Sequence, residues 1–245
     1  MTVGWGVIGC GTLPNRFTIP EGFLEARNAR LVGVADAVPE RAQETAGRFE
    51  VRSYRDADEL LSDPSIDAVY VVTPPSSHAE LTIAAARRGK HVLCEKPLGL
   101  NPREAEEMVR VCREERVILG HGTMMRYNAC HLKMRDMVRD GDIGRPVALH
   151  ALYSDWWPSD LAHMSTGEGD LWKVGDQRAV TWRQRKGLGG GGPMTDLGVH
   201  IIDTMVFIAG PVREVASFCD TLTREMDVED TASVLMKFEN GAQAT

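Results

Sequence analysis

The first half of the chain alternates short apolar runs with helix-patterned stretches, and nothing else in the sequence constrains the fold as strongly. Val7 and Ile8 lie in an apolar run that ends in glycines, 31–35 repeats the pattern, and 68–72 is apolar at every position. Runs that do not alternate suit strands buried on both faces, as in a parallel sheet. Further runs at 91–94 and 117–120 make a fourth and a fifth strand, with helical patterns at 39–49, 57–61, 79–88 and 102–115 between them. This alternation predicts βαβ units and a doubly wound α/β sheet of the Rossmann type. Ser77-His78-Ala79-Glu80 has the form of a capping box, so a helix is expected to start there with Ser77 as its cap.

From about Tyr127 the rhythm changes. The stretch 127–140 reads as one helix, ended by Gly141 and Gly144, while 147–157, 214–223 and 230–238 alternate as half-buried strands do. Three strands with few helices between them predict an α+β domain on an open, mainly antiparallel sheet. Asn240-Gly241 has the form of a hairpin turn. Its second strand is expected to run past Thr245, which would leave the sheet truncated in this sequence. The stretch 158–192 is irregular and rich in Gly, Asp and Trp, a length that suits a lid or binding loop. Two domains are expected, 1–122 and 123–245.

Charge and cysteines exclude several functions. A net charge of -7 with scattered Lys and Arg does not suit a nucleic-acid binder, which needs a basic face to displace counterions. The tight basic groups, Arg87, Arg88 and Lys90 and then Arg183, Arg185 and Lys186, read as solvated segments. Cys10, Cys94, Cys112, Cys130 and Cys219 form no C-x-x-C pair. Reduced thiols, a cytoplasmic location and no bound metal are the expectation. No apolar run reaches the roughly 18 residues of a membrane helix, and no signal-peptide pattern opens the chain.

Three motifs carry chemistry. Gly9-Cys10-Gly11-Thr12-Leu13-Pro14 follows a strand, and such a glycine turn lets backbone approach a pyrophosphate at a helix N-terminus. A bare G-x-G is equally often a plain turn, but Asp36 ends the second strand near where a ribose-binding acid belongs. Its carboxylate would accept from ribose hydroxyls and repel a 2′-phosphate, favouring NAD over NADP. Cys94-Glu95-Lys96-Pro97 follows the fourth strand, at the sheet edge where doubly wound folds place ligands. Taken alone, Glu95-Lys96 reads as a solvated loop. Asp196 and His200 stand four apart on one predicted helix face, which Asp203 and Phe207 continue. They are either an oriented acid–base pair or a first-turn acid and a packed histidine.

Gly9-Cys10-Gly11, Thr73-Pro74 before His78, Glu95-Lys96-Pro97, and Asp196 with His200 together resemble the glucose–fructose oxidoreductase/inositol dehydrogenase (Gfo/Idh/MocA) family, in order along essentially the whole chain. The resemblance implies Lys96 and His200 as a catalytic pair supported by Asp196. It implies cofactor contacts from Gly9, Gly11, Thr12, Leu13, Asp36, Lys96 and Glu95, with Thr73, Pro74 and His78 beside the nicotinamide. Arg126-Tyr127-Asn128 resembles the segment that enters the cleft, so Arg126, Tyr127 and Trp157 are expected at the substrate. Some members carry a cis bond before the proline matching Pro97. Pro14 stands in place of the third glycine, and Pro75 where many members have asparagine. The expected activity is hydride transfer between NAD and a hydroxyl or carbonyl of a sugar, sugar derivative or inositol, in a homodimer or homotetramer built on the C-terminal sheet. A non-catalytic dinucleotide-binding regulator of the same fold is the alternative.

Overall fold

The computed structural model describes residues 2–153, 182–183, 185–222 and 226–245. The described residues fall into two compact units, the first ending at Gly122 and the second opening at Thr123.

The first unit holds β1 (Val3–Ile8), β2 (Ala29–Ala35), β3 (Arg52–Ser53), β4 (Ala68–Val71), β5 (His91–Cys94) and β6 (Leu119–His121). All neighbours pair in parallel, in the order β3-β2-β1-β4-β5-β6. The order reverses between β1 and β4, and ligands of doubly wound sheets bind beyond the strand ends at such a point. Helices α1 (Pro39–Phe49), α2 (Ala57–Ser62), α3 (His78–Arg87) and α4 (Pro102–Glu114) connect the strands. Successive side chains of a strand point to opposite faces. Val69 and Val71 therefore join one core, with Leu60, Ile66 and Met108, while Tyr70 joins the other, with Val7, Ile19 and Phe23. This two-sided burial is why the strand runs are apolar at every position.

Three local features depart from expectation. The two-residue β3 is exposed at both positions and so leaves no apolar pattern in the sequence. The segment after the glycine turn, Pro14–Phe23, is a π-helix with Pro20 inside it. Proline has no N–H to give to the turn below, and the ladder widens, as in the Leu24 N–H donating to Ile19 O (3.0 Å). The capping box does not form. Pro75–Ser77 make a 3-10 turn that leads into α3, and the Ser77 hydroxyl donates back to Thr73 Oγ1 (2.7 Å) and Pro74 O (2.9 Å).

At the start of β4 a polar knot closes the amino-terminal edge. Asp63 accepts from the buried Tyr54 hydroxyl (2.7 Å), the Ser65 hydroxyl and N–H, and Arg52. Donors to the charged form hold its carboxyl down to about 2, the Ser65 hydroxyl first and the Tyr54 hydroxyl next.

The second unit packs α6 (Val199–Ala209) on a sheet of β7 (Ala148–Leu149), β8 (Val212–Asp220), β9 (Thr231–Phe238) and β10 (Gln243–Ala244), with α5 (Ala129–Arg139) against α6. The order is β7-β10-β9-β8, with β9 antiparallel to both neighbours and β7 parallel to β10. The hairpin at Gly241 therefore has a second strand that begins inside the chain. Of the strand expected over 147–157, Ala148–Leu149 pair with β10, and 154–157 lie outside the described residues. The single helix expected over 127–140 is two elements. A 3-10 turn, Met124–Tyr127, ends at Asn128, whose extended backbone stops it and whose side chain accepts the Cys130 N–H to start α5.

A second π-helical segment, Met194–Gly198, runs into α6. Glu229 holds its start, accepting the Gly192 N–H at Oε2 (2.9 Å) and the Met194 N–H at Oε1 (3.0 Å). A Cβ on Gly192 would lie 1.8 Å from Glu229 O. Glycine at 192 is what lets the two backbones meet.

Two expectations follow. Asp63, ordinarily near 3.8, titrates lower in the fold, so its stabilisation is complete above about pH 4 and is lost as pH falls toward about 2. Urea midpoints across that window should fall more steeply for the parent than for Asp63→Asn, and parallel slopes would remove Asp63 from the acid response. Glu229→Ala strands the buried Gly192 N–H, at a cost of about 1–3 kcal/mol. Glu229→Gln keeps one acceptor oxygen and should lose less; a Glu229→Ala midpoint equal to the parent's would show that the cap contributes nothing.

Candidate active site

The carboxyl edge of the parallel sheet gathers most of the motif residues. Gly9 follows β1 with φ +109°, and a Cβ there would lie 2.7 Å from Val72 O. Only glycine permits this approach of β1 to the end of β4. The Gly9 N–H donates to Ala35 O (2.8 Å), and Asp36, next on β2, accepts the Cys10 N–H at Oδ2 (2.7 Å) and the Val38 N–H at Oδ1 (2.8 Å). Asp36 thus fastens the end of β2 to the glycine turn and stays half-buried, with lone pairs on both oxygens still to use. Gly11, Thr12 and Leu13 are exposed at the opening of the helical segment, and nothing lies within 4 Å of a Cβ built on Gly11. Asn15, which the sequence reading passed over, ties the turn from below, its Nδ2 lying 3.0 Å from Cys10 O and 2.9 Å from Thr45 Oγ1. Its place directly after the glycine motif was the signal. Burial pushes the Cys10 thiol up to about 11, which makes it an inert packing residue.

Thr73 and Pro74 follow β4, and Glu95 and Lys96 follow β5, so all four stand at the same edge. Glu95 is held on both oxygens: Tyr70 Oη donates to Oε1 (2.7 Å), and the Lys96 N–H donates to Oε2 (3.0 Å). Lys96 is half-buried, and the Lys96–Pro97 bond is cis.

His78 ties two of these loops together. Its side chain is fully buried, with Nδ1 2.8 Å from Pro97 O and Nε2 2.8 Å from Thr73 O, which leaves no ring nitrogen for a cofactor. Burial lowers its pKa, and the Pro97 and Thr73 carbonyls oppose that shift without reversing it. The ring spans the loops that follow β4 and β5, with one carbonyl oxygen at each nitrogen.

In the second unit Asp196 lies in the π-helical segment and His200 in the first turn of α6, both half-buried. Asp196 Oδ2 accepts from Arg183 Nε (3.2 Å), and the His200 carbonyl accepts from Thr204 Oγ1 (2.8 Å). One turn on, Asp203 takes Arg126 in a two-pronged pair, Nε to Oδ2 (2.6 Å) and Nη2 to Oδ1 (2.5 Å). The Arg126 and Arg135 guanidinium groups each lie over the Phe207 ring. Arg126, expected at substrate, is therefore committed to α6, where it anchors the 124–127 turn. Tyr127 on that turn is 81% exposed. Trp157 lies outside the described residues.

The first of these clusters fits a dinucleotide. The glycine turn offers exposed backbone at a helix start, open space at Gly11, and Asp36 beside it. Gly9 makes the tight turn and Gly11 leaves the space beside it open, while Pro14, in the third glycine's place, is buried in the first helical turn.

Comparison with known proteins agrees with this geometry. A family described as an oxidoreductase family with an NAD-binding Rossmann fold matches residues 3–123, and the GFO/IDH/MocA C-terminal domain matches residues 131–245. The chain is 34% identical over 243 residues to 1,5-anhydro-D-fructose reductase of Ensifer adhaerens, covering 98% of this chain and 67% of that protein. It is 30% identical over 250 residues to myo-inositol 2-dehydrogenase of Thermotoga maritima, covering 97% and 65%. Levoglucosan dehydrogenase, solved with NADH and levoglucosan, superposes with a TM-score of 0.82 at 27% identity, over 100% of this chain and 66% of that one. The chain thus spans about two thirds of the length of the relatives it matches. With both family domains matched and the glycine turn, Glu95-Lys96-Pro97 and Asp196/His200 all in place, the chain belongs to the Gfo/Idh/MocA oxidoreductase family.

Proposed function

We propose that this protein is an NAD-dependent dehydrogenase or reductase acting on a hydroxyl or carbonyl carbon of a sugar, sugar derivative or inositol. The observation that carries the reading is the glycine cradle at the β1/β4 reversal, with Asp36 fixed beside it and Lys96 at the end of the next strand. The named relatives act on sugars and polyols, which supports the substrate class.

The dinucleotide domain is placed at 1–122 and the substrate and oligomerisation domain at 123–245. Gly9, Gly11, Thr12 and Leu13 present backbone to the pyrophosphate. Asp36, already holding two backbone N–H groups, has its remaining lone pairs for ribose hydroxyls, and a 2′-phosphate would set anion against anion. Thr73, Pro74 and Glu95 border the nicotinamide, which supplies or accepts the hydride when bound. His200 is assigned the alcohol proton: as the substrate C–H leaves with its electron pair, the O–H proton passes to the imidazole and the carbonyl forms. Lys96 donates to the same oxygen and steadies the charge that develops on it. Asp196 supports His200, and Tyr127 contacts substrate. Exposed Phe218 and Leu235 on the β8–β9 face support assembly into a homodimer or homotetramer. The five cysteines, none in a disulfide, support a cytoplasmic location; among the described residues no helix is long and apolar enough to cross a membrane.

The experiment is NADH production over a panel of sugars and inositols. Stoichiometric turnover supports the enzyme, whereas NADH binding without turnover on any of them would favour a dinucleotide-sensing regulator. NADH is expected to bind at least about tenfold more tightly than NADPH because of Asp36; equal affinities in fluorescence titrations would remove Asp36 from the ribose. Lys96→Ala and His200→Ala should each lower kcat by a factor on the order of 10²–10⁴ while NADH affinity changes far less. Asp196→Asn should be milder, because the imidazole remains. Parental kcat in His200→Ala would reassign the proton to Lys96 or Tyr127.

A further inference from the structure

Tyr70 is the one residue of the apolar β4 run with a polar atom, and its hydroxyl is spent at the proposed site. The ring is 2% exposed and packs at 5.9 Å from Phe23 in the first unit's core. A buried phenol must find partners. Here Oη donates to Glu95 Oε1 (2.7 Å), with Thr18 Oγ1 3.4 Å away as a further partner from the π-helical segment. Glu95 turns its other oxygen to the Lys96 N–H (3.0 Å). A single carboxylate therefore links the side chain of β4 to the peptide of the lysine after β5. The residue after Lys96 is held as well, Pro97 O lying 2.8 Å from His78. The backbone is therefore held at Lys96 and again one residue on, and the hold at Lys96 runs through Glu95 to Tyr70.

We propose that Tyr70 is a positioning residue, whose hydroxyl fixes Glu95 and through it the backbone of Lys96. The inference rests on the oxidoreductase reading of Lys96. Tyr70 Oη is the donor that holds Glu95 Oε1 while Oε2 takes the Lys96 N–H, and small misplacements of a reacting group are costly in rate.

A matched control exists in the same unit. Tyr54 is also 2% exposed and donates to a carboxylate oxygen at 2.7 Å, but that carboxylate is Asp63, ahead of β4 at the opposite edge of the sheet. Tyr70→Phe and Tyr54→Phe each delete one oxygen and keep the packed ring. Three quantities are measured in the full chain: thermal midpoint, steady-state kcat and KM with NADH affinity, and the Lys96 amide resonance. The last is read from ¹⁵N-lysine-labelled protein and assigned by its loss in Lys96→Arg. Tyr70→Phe is expected to lower kcat roughly ten- to a hundredfold, with KM and NADH affinity unchanged. It should also move the Lys96 amide proton upfield as its hydrogen bond to Glu95 loosens. Tyr54→Phe should lower the midpoint comparably and leave kcat and the Lys96 amide in place.

The proposal is overturned if the Lys96 amide does not move in Tyr70→Phe, or if it moves with kcat unchanged. It is overturned too if both variants lose turnover alike, in step with their midpoints. Should the parent turn over no sugar or polyol, the oxidoreductase reading fails, and the Lys96 amide alone then decides the link from Tyr70: a shift upholds it and a fixed resonance ends it.

Discussion

The close approach of Gly9 to the Val72–Thr73 peptide sets the geometry of the first unit's functional edge. Two parallel strands can part at a reversal point only if the turn leaving one of them clears the end of the other. At β1 and β4 that clearance is less than a methyl group. Removing the side chain lets the turn pass at a positive φ that glycine adopts without strain. Asp36 then locks the arrangement by taking the Cys10 N–H. Thr73 and the β5 loop stand at the same edge because β4 and β5 are in register with β1.

The two units solve a similar problem in a similar way. A glycine segment must be brought close to another piece of backbone, and a carboxylate accepts N–H groups on either side of the contact. Asp36 does this for Cys10 and Val38, and Glu229 for Gly192 and Met194. Glu95 follows the same logic with one N–H and one phenol. Hydrogen bonds to an ionised acceptor are about twice as strong as neutral ones, so a few carboxylates can hold turns that have little apolar surface to bury. Glycine at 192 is thereby explained, since a Cβ there would lie 1.8 Å from Glu229 O.

Much of the first unit was legible because burial on both sheet faces writes itself into apolar runs, and the β1–β2–β4–β5 strands appear where those runs are. What was not legible has physical reasons. β3 is exposed at both of its residues, and the Ser77 box fails because the preceding prolines impose a 3-10 turn that redirects the hydroxyl. In the second unit, β7 pairs with a strand 95 residues away in sequence, a partner its own pattern cannot name. Spacing found the residues of the proposed site but not their supports. Tyr70 reads as one more apolar strand residue, and Glu229 as an acid before a strand. Long-range polar contacts of this kind follow no short period, so periodicity cannot reveal them.

Arg126 shows how an assignment changes once partners are known. From the sequence, an arginine in the segment 126–128 is a natural ligand for a polar substrate. In the fold, two of its nitrogens are on Asp203, which is 13% exposed, and its plane lies over Phe207. Drawing Arg126 away to a ligand would leave the half-enclosed Asp203 carboxylate without its cation, a larger loss than an exposed ion pair would suffer. The same pairing fixes the 124–127 turn to α6 one helical turn beyond His200. Beside Arg126 on that turn, Tyr127 is 81% exposed, and its phenol can both donate and accept.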